Sequence, residues 1–192
     1  MITSSHIIYS WAIAAYTNTL PEGARRIKYI LLGALIPDVP TYIFFIVHSI
    51  VLGTSHRIMW DQLYFHSAWS IPITLSHSLL LWPFLLALGI ALSRRVLVWI
   101  SASALFHIAL DFLVHTSDAY RHFWPISDWT FRSPVSYWNS AEYGTWVMLA
   151  DALIVWVLLI YVFTVYERWS VRTFIILLGG LYLWFIASEF VF

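Results

Sequence analysis

The chain contains no cysteine. That absence excludes disulfides, thiolate zinc sites, iron–sulfur clusters and a cysteine nucleophile. Any metal must be held by histidine nitrogen and carboxylate oxygen. Charge is scarce too. Lys, Arg, Asp and Glu make up 10% of the 192 residues, where a soluble domain carries about 25%. The ten basic and ten acidic residues cancel, so no nucleic-acid partner is expected. No low-complexity tract and no clear internal repeat appears. The N-terminus lacks a basic n-region and a convincing cleavage site, so no removable signal peptide is expected.

What remains is apolar: 61% of residues are hydrophobic and 19% aromatic. This predicts one all-α integral membrane domain over residues 1–192, a polytopic transmembrane bundle in contact with the lipid bilayer. About six membrane helices are expected. The first, at residues 4–17, is short of the roughly 20 residues that a span requires. A polar turn, Asn18 to Lys28, follows. The second, at 29–52, is interrupted by Pro37-Asp38-Val39-Pro40, which kinks or unwinds it. Irregular backbone at membrane depth survives only where protein or a watery cavity satisfies it. Gly53 to Trp69 reads as a polar connection. The third and fourth spans are expected at 70–92 and 96–116. Ser117 to Tyr143 is the longest connection, and the last two spans are expected at 144–166 and 171–192.

Basic residues give an orientation. Arg25, Arg26, Lys28, Arg94, Arg95, Arg168 and Arg172 fall on every second connection, and only Arg57, Arg121 and Arg132 fall opposite. The positive-inside rule puts the first group in the cytoplasm. Both termini and any site near the opposite connections then face outward from a cytoplasmic (inner) membrane.

The polar residues within the spans gather toward that outer side. His107, Asp111 and His115 stand at i, i+4 and i+8, about 6 Å apart at each step on one helix face. Ionisable side chains at membrane depth mark a functional site by default. Unpaired carboxylate is costly to bury, and neutral imidazoles offset its charge poorly. A divalent cation offsets it well. Asp118 and His122 repeat the four-residue spacing. His115 and Asp118 suit orienting or proton-shuttling catalytic roles. Arg121, His122 and Arg132 suit gripping a phosphate or carboxylate. His48 and His56 read as packing residues, and whether His66 joins the site stays open. Asp151 reads as paired to a Trp, Ser or Tyr of a neighbouring helix. The aromatics Tyr120, Phe123, Trp124, Trp129, Phe131, Tyr137 and Trp138 read mostly as an interfacial belt.

Several segments together resemble a known family. Gly33-Ala34-Leu35-Ile36-Pro37-Asp38 resembles the G-A-[LI]-[LI]-P-D segment of the predicted membrane-bound metal-dependent hydrolases of bacteria. Their best-known members are described as LexA-regulated inner-membrane proteins. Ser76-His77-Ser78-Leu79-Leu80 resembles their T-H-S-L-L, with Ser in place of Thr. His107-x-x-x-Asp111 followed by Phe123-Trp124-Pro125 resembles S-H-x-x-x-D and F-W-P, and His6 matches an early His. The resemblance implies a metal set of His6, Asp38, His77, His107 and Asp111, and a distant likeness to zinc-dependent phospholipase C. After Asp111, Val114-His115-Thr116-Ser117-Asp118 departs from that family's Gly-containing turn.

The expected function is a membrane-embedded hydrolase of a phosphoester or other ester, small or lipid-linked. It would use one or two divalent metals, with zinc the leading candidate. The alternative is a divalent-cation or proton transporter built on the same cluster. Heme binding is a weaker third reading, because carboxylates are interleaved with the histidines.

Overall fold

The computed structural model describes residues 1–17 and 23–191. Asn18 and Pro21 of the expected turn lie outside them, as does the side chain of Arg25. The described residues form helices and connections, with no strand among them. The helices are α1 (Thr3–Tyr16), α2 (Gly23–Leu35), α3 (Val39–Phe45), α4 (His56–Ile58), α5 (Tyr64–His66), α6 (Ser70–Ser76), α7 (Leu81–Ala91), α8 (Arg95–Phe112), α9 (Gly144–Val165) and α10 (Trp169–Val191). Four helical stretches are long and apolar enough to cross a membrane: Arg26–Val51, Arg95–Phe112, Gly144–Val165 and Trp169–Ser188. Counting α6 and α7 as one bent span makes five. Among the described residues four to five helices thus meet the length of a span, in keeping with a polytopic bundle of about six membrane helices whose first, α1, is short at 14 residues.

Three boundaries differ from the sequence reading. The second span stays helical through the two prolines, tightening to a 3-10 turn at Ile36–Asp38 and ending in a π turn at Ile46–Val51. The third span is broken, with 46° between α6 and α7. The connection expected at Gly53 to Trp69 contains helical turns, with Met59 and Tyr64 buried against Phe44 and Ile73.

The bundle packs in the spatial order α10, α9, α1, α2, α8, α7. The short α1 is thus central. Its Ile8, Trp11 and Ala12 join Val155, Leu159 and Val162 of α9 and Ile175, Leu178 and Tyr182 of α10 in one apolar core. On its other side α2 and α8 approach closely. Small residues permit this, as is usual between membrane helices. Ala34 and Ala104 are fully buried, and Ser103 Oγ donates to the Ile30 carbonyl at 2.6 Å. Away from the core, Trp146, Leu153, Val157 and Ile160 of α9 and Leu177, Leu181 and Trp184 of α10 are exposed.

Gly33 sets the α2–α8 distance. A Cβ there would strike the Ile100 carbonyl oxygen and come within 2.8 Å of Ser103 Cβ. Backbone cannot step aside as a side chain can. Gly33→Ala is expected to cost about 1–3 kcal/mol through overpacking. Thermal unfolding of the purified protein reads this as a lower Tm. Gly180→Ala, which meets nothing within 4 Å, should leave Tm unchanged.

Candidate metal centre

Two interruptions in the helices meet over α8. Asp38 ends the 3-10 turn of the second span, where Pro37 has no N–H to continue the helix. The Pro37 carbonyl accepts from Ser76 Oγ at 2.7 Å. His77 follows α6 with non-helical dihedrals. The break there is well satisfied. Ser78 Oγ accepts from the N–H groups of Leu80 and Leu81. Trp82 Nε1 donates to the Ser76 carbonyl. The Leu79 N–H donates to the His122 carbonyl, and His122 Nδ1 donates to the His77 carbonyl at 2.8 Å.

Asp38, His77, His107 and Asp111 each bring one ligating atom to a common point. Those atoms all lie within 4.8 Å of one another, and all four residues are buried. His107 Nε2 is 3.1 Å from Asp111 Oδ2 and 3.6 Å from Asp38 Oδ1. His77 Nε2 is 3.6 Å from Asp38 Oδ1 and 3.7 Å from Asp111 Oδ2.

The protons on these rings can be placed. His107 Nδ1 sits 2.7 Å from the Ala34 carbonyl and His77 Nδ1 sits 2.9 Å from the Ile73 carbonyl. A carbonyl only accepts, so each Nδ1 carries the hydrogen. In the neutral rings each Nε2 then presents a lone pair. Both Nε2 atoms are buried without a hydrogen-bond partner. In the neutral rings they face carboxylate oxygens lone pair against lone pair, which is unfavourable unless a second ring proton or a metal cation lies between them. Two imidazoles oriented by backbone carbonyls and two carboxylates form a donor set that could hold a divalent metal.

A chain of carboxylates and imidazoles surrounds this group. His6 lies outside the four-residue set. Its ring stacks on His107 with centroids 3.6 Å apart, and its Nε2 is 3.0 Å from Asp111 Oδ1. Thr3 Oγ1 donates to Asp38 Oδ2 at 2.5 Å and accepts from Tyr42 OH at 2.8 Å. The Met1 amino group is 2.6 Å from Asp111 Oδ1. His115 Nε2 is 3.3 Å from the same oxygen, and His115 Nδ1 is 2.5 Å from Asp118 Oδ2. His115 reaches Asp111 from a turn, since α8 ends at Phe112. The continuous helical face expected for His107, Asp111 and His115 therefore stops one residue after Asp111.

A model of the YdjM inner membrane protein family matches residues 1–189. The chain belongs to this family. No curated protein and no solved structure matches it. Family membership and the apolar helices together make this an integral inner-membrane protein. The family description names a location and no reaction. In this YdjM family member, all five residues implied by the motif resemblance come together: four in the common group and His6 stacked at its edge.

The other expected site residues sit farther out. Arg121 pairs with Asp128 at 3.1 Å on the surface. Arg132 is exposed. His122 is buried, so its position is that of a brace for His77 rather than a surface grip. Burial also lowers its imidazole pKa below the ordinary value, which favours the neutral form. His48 packs on Phe44, and His56 accepts from Trp60 Nε1. Asp151 accepts from Ser5, Tyr9, Tyr137 and Tyr182. Tyr120 carries more than a belt role. Its ring stacks on His77 at 3.8 Å, with 10° between the planes.

Asp118 offers a pH signature outside the spans. Burial works to raise its carboxyl pKa, but the hydrogen bond and charge of His115 outweigh that and hold it below the ordinary 3.8. A depressed carboxyl stabilises the fold above its unfolded pKa, and that stability fades as pH falls through the folded value. Asp118→Asn should therefore lower Tm at pH 7. The gap to wild type should close as melts are repeated below about pH 4. A gap that stayed constant with pH would count against the pairing.

Proposed function

We propose that this protein is a membrane-embedded, metal-dependent hydrolase that acts on a phosphoester or another ester, with lipid-linked molecules as the substrate class. The observation that carries the reading is the pair of buried Nε2 atoms on His77 and His107, aimed without partners at Asp38 and Asp111. Mixed nitrogen and oxygen donors suit zinc. An ion held by these four residues would supply Lewis acidity toward a phosphoryl or carbonyl oxygen. His6, stacked on His107, keeps that ring in place from α1. His115 has the geometry to hold and pass a proton at Nε2, with Asp118 fixing its tautomer through Nδ1. The bias of basic residues supports an outward-facing site. A site inside the bilayer suits a substrate that arrives through it.

Two interrupted helices meeting at one polar cluster also favour a second reading, passage of a divalent cation or protons. The two separate by experiment. The full-length protein is purified in detergent and its metal measured by elemental analysis. Hydrolysis of aryl phosphate esters and of phospholipid vesicles is then followed with and without a chelator. We expect about one equivalent of zinc and chelator-sensitive hydrolysis. Protein free of stoichiometric metal would sink the hydrolase reading. Flux into proteoliposomes that Asp38→Asn abolishes, without hydrolysis, would favour passage.

A further inference from the structure

An open cleft of about 280 Å³ lies between the α5–α6 segment and residues 119–130. His66, Ser70, Thr74, Tyr120, Arg121 and Thr130 are among its lining residues, and among the described residues no carboxylate is. Hydroxyl-bearing residues around one guanidinium, whose carboxylate partner Asp128 stands outside the lining, favour an anion. The guanidinium is available for exchange. Its partner Asp128 is 79% exposed at the side chain, and exposed ion pairs hold weakly. A phosphate can replace that carboxylate with two parallel N–H bonds. The volume suits a headgroup rather than a whole lipid. Phe65, Ile71 and Leu75 are exposed on the same segment, where an apolar tail would lie.

Tyr120 belongs to both the cleft and the metal centre. One face of its ring covers His77. His115 and His122 lie 5.4 and 6.1 Å from its centroid. Its hydroxyl is 3.2 Å from Tyr64 OH, which in turn is 3.2 Å from Thr41 Oγ1. Tyr120 is thus fixed at two points.

We propose that this cleft binds the phosphate group of a phosphate ester and that Tyr120 is a positioning residue that partitions this group from the metal ligands. The proposal rests on the hydrolase reading for its purpose, but the phosphate site can be tested without any metal. The test uses the full chain in phosphatidylcholine nanodiscs, with inorganic phosphate titrated calorimetrically. Phosphate should bind the wild type equally with and without chelator. Arg121→Ala should weaken it roughly tenfold, and Arg121→Lys, which keeps charge but loses the bidentate fork, by less. Tyr120→Ala should make phosphate affinity chelator-sensitive, because the partition is gone. Competition by phosphatidic acid in the nanodisc identifies a lipid headgroup as the source. Competition by soluble glycerol phosphate alone identifies a water-soluble ester, and both support the site. Phosphate affinity unaltered in both Arg121 variants overturns it, as does wild-type binding that vanishes with chelator alone. A protein that holds no metal yet binds phosphate through Arg121 would refute the hydrolase reading and leave this site standing.

Discussion

Asp111→Asn is expected to abolish the proposed metal binding while leaving the bundle folded. Asp111 is the hub of the cluster. Its Oδ1 faces His6 and His115, and its Oδ2 faces His77 and His107. Asn keeps the shape but loses the charge, and one ligand oxygen becomes an N–H donor. Mutating an outer partner of a metal ligand costs about 10–100-fold in affinity, so loss of a ligand itself should exceed about 100-fold. Elemental analysis reads this directly. Stability should respond differently. In metal-free wild type the Nε2 lone pairs of His77 and His107 face carboxylate oxygens. An Asn amide can donate to one of them, which offsets the lost contact with the Met1 amino group. The metal-free variant should melt within about 3 °C of metal-free wild type, a difference below about 1 kcal/mol for a chain of this size. A far lower Tm would mean that protein groups alone satisfy the carboxylate, and the cluster would then be a packing network. His107→Ala is the poorer test, since it also strands the Ala34 carbonyl.

The i, i+4 spacing of His107 and Asp111 was legible because both stand on one helix, where period dictates facing. Asp38 was legible through its flanking prolines. Three other features were written in tertiary contacts. Helix α8 was expected to run to residue 116. It stops at Phe112 because distant residues take the next carbonyls: Ser133 Oγ binds that of Leu113, the Tyr137 N–H that of Val114, and the Ser133 N–H that of His115. The break at His77 lies in a stretch whose scattered Ser and Thr residues do not interrupt the helical reading. Ser78 acts as a cap there because Trp82 and His122 satisfy the remaining backbone. Tyr120 read as one belt aromatic among seven. Nothing in its neighbourhood in sequence signals the stack on His77, 43 residues earlier.

Asp151→Ala is expected to be the most destabilising single change in the α9–α10 half, and to weaken the proposed metal binding from a distance. Asp151 is 4% exposed, two turns into the apolar α9. Its Oδ2 accepts from Ser5 at 2.6 Å, Tyr137 at 3.0 Å and Tyr182 at 2.9 Å, and its Oδ1 accepts from Tyr9 at 2.9 Å. Four hydroxyls from α1, α10 and the connection before α9 thus converge on one carboxylate. Hydrogen bonds between membrane helices average about 0.6 kcal/mol, and those to charged groups reach about 1.5–3. Losing four puts the cost at roughly 4 kcal/mol, a large share of the roughly 5–15 that holds a protein folded. Water cannot rescue the stranded hydroxyls of Tyr137 and Tyr182, whose residues are fully buried. Ser5 and Tyr9 also anchor α1, which carries Thr3 to Asp38 and His6 to Asp111. Freeing that helix should lower metal affinity about 10–100-fold, the usual effect of disturbing the partners of a ligand. Ser101→Ala is the comparison. Ser101 Oγ is buried on α8 without a hydrogen-bond partner, so its removal should leave Tm level or raise it. Equal melts for the two variants would show that the hydroxyl cage around Asp151 contributes nothing. A destabilised Asp151→Ala protein with undiminished metal affinity would separate α1 from the metal centre.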